Sequence, residues 1–172
     1  MSAPIQRLLV LCLASLLTGV ASAGDTGVWQ KHELRFNYVG FTTIYSCDGL
    51  ADKLKLLLIQ AGARPDAKVR AGGCAELSGR PDKMANASLV FYTLAPTGNG
   101  DAVPGQWRKV SFANGHPREL QTGDCELVEQ FREVVVKKAF TTRNLEDSTT
   151  CVPHQASGSR VGLKFEALVA AP

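Results

Sequence analysis

A short pattern that occurs twice constrains this chain more than any other feature: a helix-capping residue, then a cysteine, then an acid. The first copy is Ser46-Cys47-Asp48 and the second is Asp124-Cys125-Glu126. Ser and Asp side chains accept hydrogen bonds from the free N–H groups at a helix start, and an acid there faces the positive end of the helix dipole. Each copy therefore predicts the beginning of a helix.

Both copies are followed by apolar residues at helical spacing and then by a second cysteine. The apolar positions are Leu50, Leu54, Leu57, Leu58 and Ala61 after the first copy, and Val128, Phe131, Val134 and Val135 after the second. Cys74 follows Cys47 by 27 residues, and Cys151 follows Cys125 by 26. The repeated spacing indicates an internal duplication, with chance recurrence as the alternative.

The first 23 residues have the pattern of a secretory signal. Arg7 supplies a positive charge, residues 8–17 form an apolar run too short to span a bilayer, and Ala21-Ser22-Ala23 is a small-x-small cleavage site. We expect cleavage between Ala23 and Gly24 and a protein located in the periplasm or secreted. No membrane span is expected after the signal.

Four cysteines remain after signal removal, and an even number of cysteines in an exported chain predicts disulfides. The duplication favours one bond in each half, Cys47–Cys74 and Cys125–Cys151, over the crossed pairings. A zinc site made of all four cysteines is the alternative, but the chain has no C-x-x-C pair and would lie in an oxidising compartment. We therefore expect two disulfides, no metal and no cofactor.

Alternating apolar and polar residues predict strands between and after the two helices. The predicted strands are 34–39, with a β-prone continuation over 40–45, and then 66–72, 88–94, 107–112, 140–145 and 161–169. Residues 96–105, rich in Gly and Pro, are predicted to connect the halves. The order is β-α-β-β twice, with pseudo-repeats over about 24–96 and 105–172 of a single domain. We expect an α+β fold with two helices on one face of a mainly antiparallel sheet, and a ferredoxin-like βαββαβ core is the alternative.

Charge and motif content argue against several function classes. The chain has 19 basic and 16 acidic side chains, and no basic run interleaved with aromatic residues is evident, so no nucleic-acid partner is expected. The sequence also lacks the motifs of α/β-hydrolases, zinc proteases, P-loop proteins and dinucleotide-binding folds.

The remaining candidates for chemistry have simpler structural interpretations. His32, His116 and His154 are isolated in sequence, although the last two could meet Asp48 or Glu126 in an acid–base pair. Both acids are better explained as helix-start residues. A helix N-terminus lowers the pKa of a thiol, but cysteines held in disulfides are not nucleophiles. No catalytic residue is assigned.

Aromatic residues near strand ends are the candidates for a partner surface. Phe41, Tyr45 and Trp107 are predicted to contribute to an exposed interaction patch.

The stretch from Gly40 to Leu50, together with Gly62-Ala63-Arg64 and Asp124 to Val128, resembles a group of uncharacterised exported proteins of Gram-negative bacteria. The resemblance covers most of the chain after the signal. The resemblance implies a periplasmic location and does not imply any activity. The sequence thus favours a non-enzymatic protein that binds a protein, a peptide or an envelope component. A small secreted hydrolase with a loop-borne acid–base site and a structural envelope protein are the alternatives.

Overall fold

A computed structural model of the protein describes residues 25–74 and 83–172. The predicted signal, residues 1–23, lies outside the described residues. The first half contains β1 Thr26–Val39, α1 Cys47–Ala61, β2 Lys68–Gly72 and β3 Met84–Ala95. The second half contains β4 Ala102–Ala113, α2 Cys125–Phe131, β5 Thr142–Asp147 and β6 Gly162–Ala170. Helix α2 continues through a π-helical segment, Arg132–Val136, into a last turn, α3 Lys137–Ala139.

The six strands form one antiparallel sheet in the order β2-β3-β1-β4-β6-β5. In each half the third strand lies between the first and the second, and the two first strands pair at the centre. Phe36 pairs with Ala87 in the first half, and Phe112 pairs with Leu163 in the second. This confirms the α+β fold with two β-α-β-β repeats. The ferredoxin-like alternative would omit two of the six strands.

Helix α1 begins as its sequence predicts. The Ser46 side chain accepts a hydrogen bond from the Gly49 N–H at 3.1 Å. The helix ends at Gly62, whose φ of 111° is in the left-handed region. A side chain at Gly62 would also come within 2.6 Å of Val169 on β6. Conformation and space therefore both require glycine at this helix end.

Each disulfide joins a helix start to the chain just after the following strand. Cys47 is bonded to Cys74 and Cys125 to Cys151, the pairing that the duplication predicts. Both helices lie on the same face of the sheet, where the core is built from leucines of α1 and phenylalanines of the strands. Among the described residues no helix is long and apolar enough to cross a membrane.

The helices also bind the two halves to each other. The Arg108 guanidinium on β4 donates a hydrogen bond to the Gln60 carbonyl at the end of α1, at 3.0 Å. The Thr93 hydroxyl on β3 donates to the Ala139 carbonyl at the end of α3, at 2.6 Å. Because each helix end is held by the sheet of the other half, the two repeats share one core.

Several strand boundaries differ from the prediction. β1 begins at Thr26 rather than at residue 34, and β3 begins at Met84 rather than at residue 88. Residues 40–45 form a loop rather than a continuation of β1, because the loop N–H groups bond to α2 instead of to a neighbouring strand. Ala102 to Gly105, predicted to lie in the connector, are the start of β4. Pro104 lies where β4 faces the beginning of β1, and Val103 there pairs with Gly27.

Candidate binding face

The structure does not bring the three predicted patch residues together. Phe41 is 49% exposed and its ring lies 5.9 Å from the His154 ring, on a loop beside the start of α2. Tyr45 is buried. Trp107 is partly buried on β4, on the face of the sheet away from the helices. These residues therefore do not form one exposed patch.

Tyr45 is buried because its hydroxyl donates a hydrogen bond to the carboxylate of Asp124. The other oxygen of this carboxylate lies 2.6 Å from the Lys53 ammonium and accepts the Gln121 N–H at 2.7 Å. Asp124 is consequently not the side-chain cap of α2 that its position predicts. It precedes the helix in a tight turn and bonds α1 and the β1–α1 loop to the second half.

Glu126 holds the same loop from the other side. Its carboxylate accepts the N–H groups of Phe41 and Thr42 at 2.8 and 3.0 Å, and the Thr42 hydroxyl at 3.2 Å. Asp48, the equivalent acid in the first half, is exposed. The two acids therefore lie in different environments, and the carboxylate of Glu126 is already occupied by hydrogen bonds from the loop.

The two tyrosines in this region remain neutral over the usual pH range. Burial, reinforced by the hydrogen bond to Asp124, raises the pKa of Tyr45 far above its ordinary value. Burial is also the main reason that the pKa of Tyr38 is raised. Because every polar group of the network has a partner and neither phenol ionises readily, the network is suited to holding the halves together rather than to proton transfer.

These shifts predict a stability loss at alkaline pH. Unfolding returns both tyrosines to a pKa of about 10, so their stabilisation is complete below pH 10 and is lost as the pH rises above it. We expect the urea midpoint to fall above about pH 10. Tyr45→Phe should be less stable than the wild type at pH 7 but should lose less stability on the way to pH 11. Tyr92→Phe is the control. If it reduces the loss of stability between pH 7 and pH 11 as much as Tyr45→Phe does, the assignment of this loss to Tyr45 is contradicted.

The histidines do not meet acids in the described part of the chain. His32 lies on the inner face of the sheet with its Nε2 atom 2.8 Å from the Thr93 hydroxyl, and burial lowers its pKa. His154 contacts Phe41, and the backbone of His116 bonds to Ala113. Within residues 25–74 and 83–172, no three His, Cys, Asp or Glu side chains are placed to hold a metal ion.

Ten charged side chains lie on the side of the sheet that faces away from the helices, which we call the outer face. Strand register fixes its members, because alternate residues point to opposite sides. It carries three acidic side chains, Glu33, Glu146 and Glu166. It carries seven basic ones: Lys31, Arg35, Lys68, Arg70, Lys109, Arg143 and Lys164. The resulting excess of four positive charges exceeds the net charge of +3 for the whole chain.

Five of these seven cations are free to bind a ligand. Lys31 bonds to Glu33 at 2.5 Å, and Arg143 bonds to Glu166 at the same distance. The other basic side chains of the face make no hydrogen bond or ion pair with any residue that the structure describes, and all of them are exposed. They are Arg35, Lys68, Arg70, Lys109 and Lys164.

Aromatic rings lie between the charges. The Arg143 guanidinium lies 4.2 Å from the centre of the Trp107 ring, and the Arg64 guanidinium lies 3.8 Å from that of Tyr92. Beside Trp107 and toward the edge of the sheet, an open groove of about 430 Å³ is lined by Lys109, Ser111, Asn144, Glu146, Lys164 and Glu166. The outer face is therefore polar and basic, with its rings covered by arginines.

The basic character of the outer face is not apparent in the linear sequence. Its seven cations are spread over five strands, with one or two on each, and they become a surface only when the strands pair. A local signal does exist, because Lys31, Glu33 and Arg35 alternate with core residues, as do Lys68 and Arg70. The sequence has no basic run interleaved with aromatics, but the folded sheet carries basic side chains and aromatic rings on one face.

Comparison with known proteins yields no relative: no family model, no curated protein and no solved structure matches the chain.

Proposed function

We propose that the protein is exported and acts as a non-enzymatic binding protein whose outer face holds an acidic polysaccharide of the cell envelope. The observation that carries this proposal is the exposed outer face, on which five cations have no partner among the described residues. Its charge excess is complementary to a polyanion, and exposed cations steer such ligands and bind them in a salt-dependent way.

The chemistry of the outer face favours a polysaccharide over other acidic partners. An extended peptide adds to the edge of a sheet, where backbone groups are free, whereas the backbone of a central strand is already paired. Between the cations lie hydroxyl and amide side chains, including Ser88, Ser111 and Asn37, that suit a hydroxyl-rich chain. Among the described residues of this face, Met84 is the one large hydrophobic side chain that is more than half exposed, so the described face offers little apolar surface for lipid.

Export is supported by the predicted signal and by the two disulfides, which persist in oxidising compartments. Protein recovered from the periplasm or the medium should begin at Gly24. Recovery of chains that retain Met1 would contradict it. The hydrolase alternative has no described histidine–acid pair to support it.

Binding to a defined acidic polysaccharide tests the function. We expect the processed protein to bind polygalacturonate, which has a carboxylate on every sugar unit, and not neutral dextran of similar length. Affinity should fall steeply as salt rises from 20 to about 500 mM, because the Debye length shortens from roughly 20 Å to about 4 Å. Isothermal titration calorimetry is a suitable measurement.

Two results would contradict the proposal. Equal binding to dextran would show that charge is not the basis of recognition. Tighter binding to a single-stranded oligonucleotide than to polygalacturonate, under the same conditions, would assign the face to nucleic acid instead.

A further inference from the structure

We infer that Arg35, Ser88 and Arg70 form the subsite that recognises the acid group of the ligand, and that the second half of the sheet has no equivalent. This inference rests on the proposed function and specifies where on the outer face the acid group of the ligand binds.

The three residues lie in one row across neighbouring strands. Ser88 on β3 is paired with Arg35 on β1 and with Arg70 on β2. Adjacent strands are about 4.8 Å apart, so the two arginine Cα atoms are separated by roughly 10 Å with the serine midway. All three side chains are exposed on the outer face. Two long guanidinium side chains can therefore converge over one hydroxyl group.

The side chains of this row are hydrogen-bond donors that suit an oxyanion. A guanidinium group presents paired N–H donors that fit the two oxygens of a carboxylate, a sulfate or a phosphate. The Ser88 hydroxyl can add a third donor between them. Neither arginine has a described acidic partner that would have to be displaced, so an arriving anion does not compete with an internal ion pair.

The equivalent row in the second half lacks this character. There Lys164 on β6 is paired with Ser111 on β4 and with Glu146 on β5. One cation beside one acid gives no net charge. In the neighbouring row Lys109 faces Glu166, which already bonds to Arg143. Among the rows of the described sheet, the one through Ser88 alone combines two basic residues with no acidic residue. The duplication has thus produced one anion subsite rather than two.

Side-chain NMR of the arginines tests the subsite with a small anion. Inorganic sulfate titrated into the processed protein should shift and saturate the Nε–H signals of Arg35 and Arg70. The Lys109 and Lys164 ammonium signals should change little. Shifts of similar size and midpoint at all four residues would overturn the inference, because they would show only diffuse attraction.

Matched double variants test the subsite with polygalacturonate. R35Q/R70Q and K109Q/K164Q each remove two positive charges from the outer face. Two exposed charge-assisted contacts correspond to about a fivefold to thirtyfold change in affinity, and R35Q/R70Q should weaken binding by this amount. K109Q/K164Q should weaken it by only about twofold to threefold, the effect of lost long-range attraction.

The two claims fail separately. Equal weakening by the two double variants would overturn the subsite and leave the proposed function standing. Saturable sulfate binding at the arginines without any binding of polygalacturonate would overturn the proposed function and leave the subsite standing.

Discussion

Replacing Glu126 with alanine should lower the free energy of unfolding by about 2–5 kcal/mol, because the partly buried N–H groups of Phe41 and Thr42 lose their charged acceptor. Each unsatisfied buried donor costs about 1–3 kcal/mol. Glu126→Gln keeps one acceptor oxygen and should cost less. Urea denaturation followed by circular dichroism at pH 7 measures these differences.

The same helix offers a control for this effect. Glu129 is exposed on α2, so Glu129→Ala removes an acid of equal charge without stranding a buried donor. Its effect should stay within about 0.5 kcal/mol. Asp48→Ala tests the equivalent position of the first half, which is also exposed, and should be similarly mild. If Glu126→Ala costs no more than these two variants, the bonds from Glu126 to the loop do not stabilise the fold.

Loss of the first disulfide is the second large effect that we expect. Cys47→Ser and Cys74→Ser should each cost about 2–5 kcal/mol, since the bond closes a separation of 27 residues and constrains the unfolded chain. Both variants remove the same bond, so their costs should be similar. The double variant should be no worse than the worse single variant, because once the bond is lost the second substitution removes only an unpaired thiol.

Non-reducing peptide mapping checks the pairing directly. Peptides containing Cys47 should be linked to peptides containing Cys74, and those containing Cys125 to those containing Cys151. A peptide linking Cys47 to Cys125 or Cys151 would contradict both the structure and the duplication that predicts it.

The fold could be predicted from the sequence because its signals are local and occur twice. The cap at Ser46, the apolar spacing after Cys47 and the glycine at position 62 each fix a short piece of structure without reference to distant residues. Repetition then supplied the tertiary information, since the same order of elements and the same cysteine spacing imply the same arrangement in each half.

The candidate site could not be predicted in the same way, because its properties depend on contacts between distant segments. Asp48 and Glu126 occupy the same place in the repeated pattern, yet one is exposed and the other is buried against a loop about 85 residues away in sequence. The sequence predicts that Tyr45 is a surface aromatic, but in the folded protein its hydroxyl bonds to Asp124. The row of Arg35, Ser88 and Arg70 exists only through the register of three strands.

Removing four of the five unpaired cations of the outer face tests the proposed function most directly. The variant R35Q/R70Q/K109Q/K164Q should be compared with K55Q/R118Q/K138Q/R160Q, which removes the same number of exposed charges from positions outside the outer face. Both proteins should show the circular dichroism spectrum and the urea midpoint of the wild type, and both should be titrated with polygalacturonate at low salt. The account predicts that the outer-face variant loses binding by at least about thirtyfold while the control variant loses about threefold or less. Equal losses in the two variants would contradict it, because binding would then depend on total charge and not on the outer face.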